Sequence, residues 1–192
     1  IDYRKIPTTK PHPSHPNYVF EHRGLVWTTR FHQRDAVALS SLEKRIDIEV
    51  GGPHDGHVRG DEVHFTTANG NLIMANLGKC KVEKIIELSG MLGMHPLQPL
   101  GWCRGIKELK SGHVCVGFSR LRPTRFKENL SWLRDRLLAA TNRHVMRSLP
   151  MPTRLLRLDL ERQQVEWQIN LESFGLNTIF SIHEKGNPDV QS

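Results

Sequence analysis

Apolar residues alternate with polar ones at a period of two along most of the chain, in short runs separated by Gly, Asn, Asp or Pro. That period is the signature of β-strands with one face toward a core. The runs themselves recur. A first unit reads NYVFEHRG, LVWTTRF, DAVALSSL, EKRIDIEVGG, and a second reads DGHVRGD, EVHFTTANG, NLIMANL, KVEKIIELSG. A third begins RGIKELKSG, HVCVGFSRL and resumes at PTRLLRLDL and QQVEWQINLE, and NTIFSIHEKG opens a further one. Second strands VWTT, VHFTT and VCVGF align across the units.

Four strand-like runs per unit of roughly 40 residues is the pattern of a β-propeller blade. The sequence therefore predicts an all-β fold of four-stranded antiparallel blades in a single domain, 1–192. The blades fall at about 15–52, 53–90 and 101–172, with the start of another at 175–186. Corresponding inner-strand starts are Asn17, Asp55, Arg104 and Asn177. Three blades and one extra strand do not close a ring, since propellers typically carry ~4–8 blades. Blades from a larger chain, a second copy or a different chain are needed to complete it.

The stretch 122–152 interrupts the third unit. In KENLSWLRDRLLAA, residues Leu130, Leu133, Leu137 and Ala140 share one helical face, which predicts a helix over Lys127–Ala140. Such a helix could lie on the blades, cover an anionic ligand or dock a partner. The same stretch gathers Arg122, Arg125, Lys127, Arg134, Arg136, Arg143 and Arg147 against Glu128 and Asp135. Most of the net charge of +7 therefore sits there. With the remainder close to neutral, a nucleic-acid partner is not indicated.

Composition narrows the classes further. At 192 residues and 38% hydrophobic content the chain is long enough to bury a core. No run approaches the ~18 apolar residues of a membrane helix, so no membrane partner is expected. No apolar segment follows a basic start as in a secretory signal, and the compartment stays open. Cys80, Cys103 and Cys115 are too few and too scattered for a disulfide framework, and no CxxC occurs.

In a propeller the starts of the innermost strands ring the channel mouth, so polar residues there converge from every blade. Here those starts read His15-Pro16-Asn17, Pro53-His54-Asp55-Gly56, Trp102-Cys103-Arg104-Gly105 and Gly175-Leu176-Asn177. Two histidines, an Asp, an Arg and two Asn are expected to share one axis, with His32 near the same rim. His12, His22, His95, His113 and His144 fall in expected turns, tails or the insertion and read as surface residues. His64 alternates with Val63 and Phe65 and reads as packed.

The stretch HPNYVFEHRGLVWTTRFHQRDAVALSSLEKRIDIEVGGPHDG resembles the catalytic part of the bacterial arylsulfate sulfotransferases, over about residues 15–77. The shared elements are an H-x-N opening a blade, a strand ending in Arg before H-Q, and a G-G-P with a His-Asp pair opening the next. The resemblance implies a six-bladed ring and a small anionic or aromatic ligand. It also implies a catalytic set of His54, which would take up the sulfuryl group, with His15 and Arg30 on the sulfate oxygens. A second resemblance is to lactonase-like six-bladed propellers, whose channel holds a divalent cation. It implies Asn17, Asp55 and Asn177 as metal ligands, and oxygen donors of that kind suit calcium or magnesium. The set also resembles propellers with no assigned activity. Three classes of function thus stay open: sulfuryl transfer, metal-dependent hydrolysis, and a binding or structural module.

Overall fold

The computed structural model describes residues 14–94, 99–110, 112–121 and 151–183. The helix expected over Lys127–Ala140 lies outside them. Three four-stranded antiparallel sheets account for nearly all of the secondary structure described. Sheet 1 is β1 (Pro16–His22), β2 (Leu25–Arg30), β3 (Asp35–Ala38) and β4 (Ser41–Asp47), in that spatial order. Sheet 2 is β5 (Pro53–Arg59), β6 (Glu62–Thr67), β7 (Asn71–Asn76) and β8 (Lys81–Glu87). Sheet 3 is β9 (Trp102–Lys110), β10 (His113–Ser119), β11 (Arg154–Asp159) and β12 (Gln164–Asn170). Each is a meander, and each falls within one of the repeat units.

Alternation explains how the sheets stack. Successive side chains of a strand point to opposite faces, so a sheet lying between two others must be apolar on both. In β7, Ile73 and Ala75 enter a core shared with Phe20, Trp27, Ala36, Ala38 and Ile46 of sheet 1. Leu72, one residue before, enters the other core, with Ile106, Val114, Val116, Phe118 and Leu156 of sheet 3. The first strands β1, β5 and β9 lie side by side as the innermost strands. They are crowded: a Cβ on Gly56 of β5 would sit 2.5 Å from the Tyr18 ring of β1. This is the blade-on-blade stacking of a β-propeller.

Two details differ from the strand-only reading of the repeats. After β8 the chain makes a single helical turn, α1 (Leu88–Met91), where the pattern IIELSG reads as strand. The turn swings Leu88 inward to 1% exposure in the core between sheets 2 and 3, and Leu88 N–H donates to the Gly70 carbonyl at 3.0 Å. Burial of one leucine, about 2 kcal/mol, outweighs one more strand residue. Beyond β12 a 3₁₀ turn (Glu172–Phe174) leads into residues 176–183, which carry no regular secondary structure. This segment is a strap across the face of sheet 3 that points away from sheet 2. A Cβ on Gly117 would meet Ile179 at 2.9 Å, and one on Gly105 would meet Ile182 at 2.7 Å. Ser119 fastens it, since its hydroxyl donates to the Ile179 carbonyl at 3.0 Å and accepts from Ile179 N–H at 2.9 Å.

Candidate functional site

The starts of β1, β5 and β9 open at one end of the sheets, and that end is the mouth. Position 17 of β1 and position 55 of β5 do similar work there. The Asn17 side-chain amide donates to the Pro53 carbonyl at 3.2 Å. The Asp55 carboxylate accepts the Ile106 N–H at 3.1 Å. Both side chains stitch their own innermost strand to the backbone of the next. Burial raises the Asp55 pKa, while the N–H groups of Ile106 and Gly56 and the nearby His183 pull it back. Its charge in turn adds to burial in pushing Tyr18 up to about 12.

Position 104 of β9 repeats the geometry with different chemistry. Among the described residues no further sheet follows, and the Arg104 guanidinium meets the strap instead. It lies 5.6 Å from the Phe180 ring centroid and 5.8 Å from that of Trp102, within cation–π range of both. His54, one residue into β5, is mostly buried and senses both neighbours. Its pKa falls to about 4, first through burial, then through the charges of Arg104 and His15. The imidazole is therefore neutral at neutral pH, and its buried Nδ1 has no hydrogen-bond partner among the described residues. His15 packs beside Phe31 (ring centroids 5.8 Å) and His32 (6.1 Å), and the latter two stand edge to face at 5.5 Å. The Phe31 ring occupies the space that a side chain at Gly52 would need.

The mouth thus brings together His15, His32, His54 and Arg104 among the predicted residues, with Asn17 and Asp55 as stitches beside them. Arg30 sits at the same end, opposite Pro16 of β1, but its guanidinium is engaged elsewhere, and Asn177 lies further out. Arg30 is held on sheet 1 by a two-point ion pair to fully buried Asp35, Nε–Oδ1 2.9 Å and Nη2–Oδ2 2.6 Å. Arg45 Nε reaches the same carboxylate at 3.1 Å. Asn177 is exposed beside Thr153, whose hydroxyl donates to its carbonyl at 2.9 Å just before β11, two strands out from β9. Asn17, Asp55 and Asn177 therefore do not surround one point.

Four mouth residues were given no role by the sequence reading: Phe31, Trp102, Phe180 and His183. Each lies within three positions of a predicted polar residue or of another of the four, in R-F-H, W-C-R and F-S-I-H. Aromatic residues flanking mouth cations were the available signal.

Among the described residues no helix is long and apolar enough to cross a membrane. Another cluster, His113 with Asp159 and Glu166, lies at the opposite end of sheet 3. The fold and the mouth define a protein of β-propeller type with a cationic, aromatic opening. No protein-family model matches the chain, and no curated protein matches it significantly. The likeness to arylsulfate sulfotransferases therefore rests on the short motifs at 15–77 alone.

Proposed function

We propose that the protein is a propeller-type binding protein whose mouth takes a small organic anion bearing an aromatic ring. The observation that carries this reading is the Arg104 guanidinium set by Trp102 and Phe180 next to a neutral, buried imidazole at His54. Arg104 supplies charge and the flat rings supply stacking area, while His54 offers a polar contact without adding a second cation to the site. An aryl sulfate such as 4-nitrophenyl sulfate is the test ligand, titrated by calorimetry. Arg104→Gln should weaken it tenfold or more and Phe180→Ala severalfold. Unchanged affinity in both variants refutes the reading.

Sulfuryl transfer is the second reading, and neutral His54 favours it. In that reaction an imidazole nitrogen attacks sulfur and the phenolate leaves. A phenol acceptor then takes the group from the N-sulfo-imidazolium adduct, its proton passing to the phenolate released in the first step, and the imidazole leaves neutral. His15 and Arg104, both adjacent to His54, would offset charge on the sulfuryl oxygens. Arg30 contributes to this reading only if it leaves Asp35. His54→Ala should abolish transfer to a phenol while leaving the binding of 4-nitrophenyl sulfate within about threefold. In either reading the ring is completed by blades beyond these three, from a longer chain or from a second one. Solution mass tests the second form: a multiple of 22.0 kDa supports it and a 22.0 kDa monomer refutes it.

A further inference from the structure

We propose that His113, Asp159 and Glu166 form a binding site for one divalent transition-metal ion, best suited to zinc, at the end of sheet 3 away from the mouth. The three residues come from three adjacent strands. His113 opens β10 and is the direct cross-strand partner of Asp159, which ends β11, and Glu166 follows in β12. His113 Nε2 lies 3.2 Å from Glu166 Oε1 and 3.9 Å from Asp159 Oδ2, and the three ligand atoms are all within 4.8 Å of one another. In a tetrahedral zinc shell with bonds of about 2.0–2.2 Å, ligand atoms sit about 3.3 Å apart. Small side-chain rotations close the remaining gap.

The second oxygen of each carboxylate is already occupied, which aims the first. Asp159 Oδ1 accepts the N–H groups of Glu161 at 3.0 Å and Arg162 at 2.9 Å. Glu166 Oε2 is ion-paired to Arg157 Nε at 2.5 Å. Outer partners that fix ligating carboxylates in this way are the usual second shell of a metal site. A simple ion pair accounts for less of the arrangement, because one Nε2 proton serves one acceptor while two carboxylate oxygens face it. A cation between the three atoms satisfies all of them. The imidazole selects against calcium and magnesium, which prefer all-oxygen shells. Side-chain exposures of 29%, 10% and 33% leave solvent access and room for a water ligand. Arg157 and Arg162, the latter 3.8 Å from Asp159 Oδ2, add positive charge that limits affinity. Binding would tie the outermost strand β12 to β10 across β11.

The test uses untagged full-length chain, freed of metal with EDTA and titrated with zinc chloride by calorimetry at pH 7.5. One zinc per chain is expected. His113→Ala and the near-isosteric, part-exposed Glu166→Gln should each raise the dissociation constant tenfold or more, with far-ultraviolet circular dichroism unchanged. His54→Ala should leave zinc binding as it was. Absence of uptake, uptake insensitive to both His113→Ala and Glu166→Gln, or uptake lost in His54→Ala would overturn the proposal. The second result would leave an ion-pair cluster, and the third would move the metal to the mouth.

Discussion

Lowering the pH from 7.5 to 4.5 should destabilise this protein partly through one residue, His54. In the fold its pKa is about 4, against 6.5 for an unperturbed imidazole. A group whose folded pKa is depressed in this way binds its proton more readily when unfolded. Stability is then highest above the unfolded value and falls as pH drops through 6.5 toward 4. At pH 7.5 the two states are almost equally unprotonated and the linkage is near zero. At pH 4.5 the unfolded imidazole is almost fully protonated and the folded one is only about a quarter so. The difference is on the order of 2–3 kcal/mol. His54→Gln removes this linkage, so the stability gap between variant and parent should shift by that amount between the two pH values. Urea unfolding followed by tryptophan fluorescence reads it directly, with buried Trp27 as a core reporter. His57 and His64 are also depressed by burial and add to the acid sensitivity of both proteins alike. A gap constant to within about 0.5 kcal/mol would show that His54 is not buried beside Arg104 and His15, and the mouth would have to be rebuilt.

Further outcomes follow from the stitches and the strap. Asp55→Ala leaves the buried Ile106 N–H without its acceptor and should cost about 1–3 kcal/mol in urea unfolding, and Asp55→Asn should recover much of it. Asp35→Ala strips the partner from Arg30 and should destabilise by at least about 2 kcal/mol, because a fully buried carboxylate holding two arginines is lost. Gly117→Val drives a side chain into Ile179 and should release the strap. Limited proteolysis should then cut within 176–183 faster than in the parent, while an equal cleavage rate would count against strap docking. The same variant should weaken aryl sulfate binding through loss of Phe180.

The blades were legible because strand alternation is local. Whether Ile73 or Leu72 faces a given side follows from parity alone, and three units with matching parity force three stacked sheets. The mouth was legible to the same extent: an inner-strand start is a position in a repeat, so His15, His54 and Arg104 could be placed on one end without coordinates. Partners of polar side chains were not legible, because they are set by whatever the neighbouring strand brings. Asn17 and Asp55 look like ligands in sequence and act as stitches because the next inner strand offers a carbonyl to one and an N–H to the other. Arg30 looks like an anion clamp, but Asp35, its direct partner across the β2–β3 hairpin, takes the guanidinium first. Phe180 and His183 enter the mouth only because Gly105 and Gly117 leave room for Ile182 and Ile179, a packing event between residues about 60 to 80 positions apart. Local alternation determined the sheets, and long-range packing decided where the mouth's charges lie and which neighbours they meet.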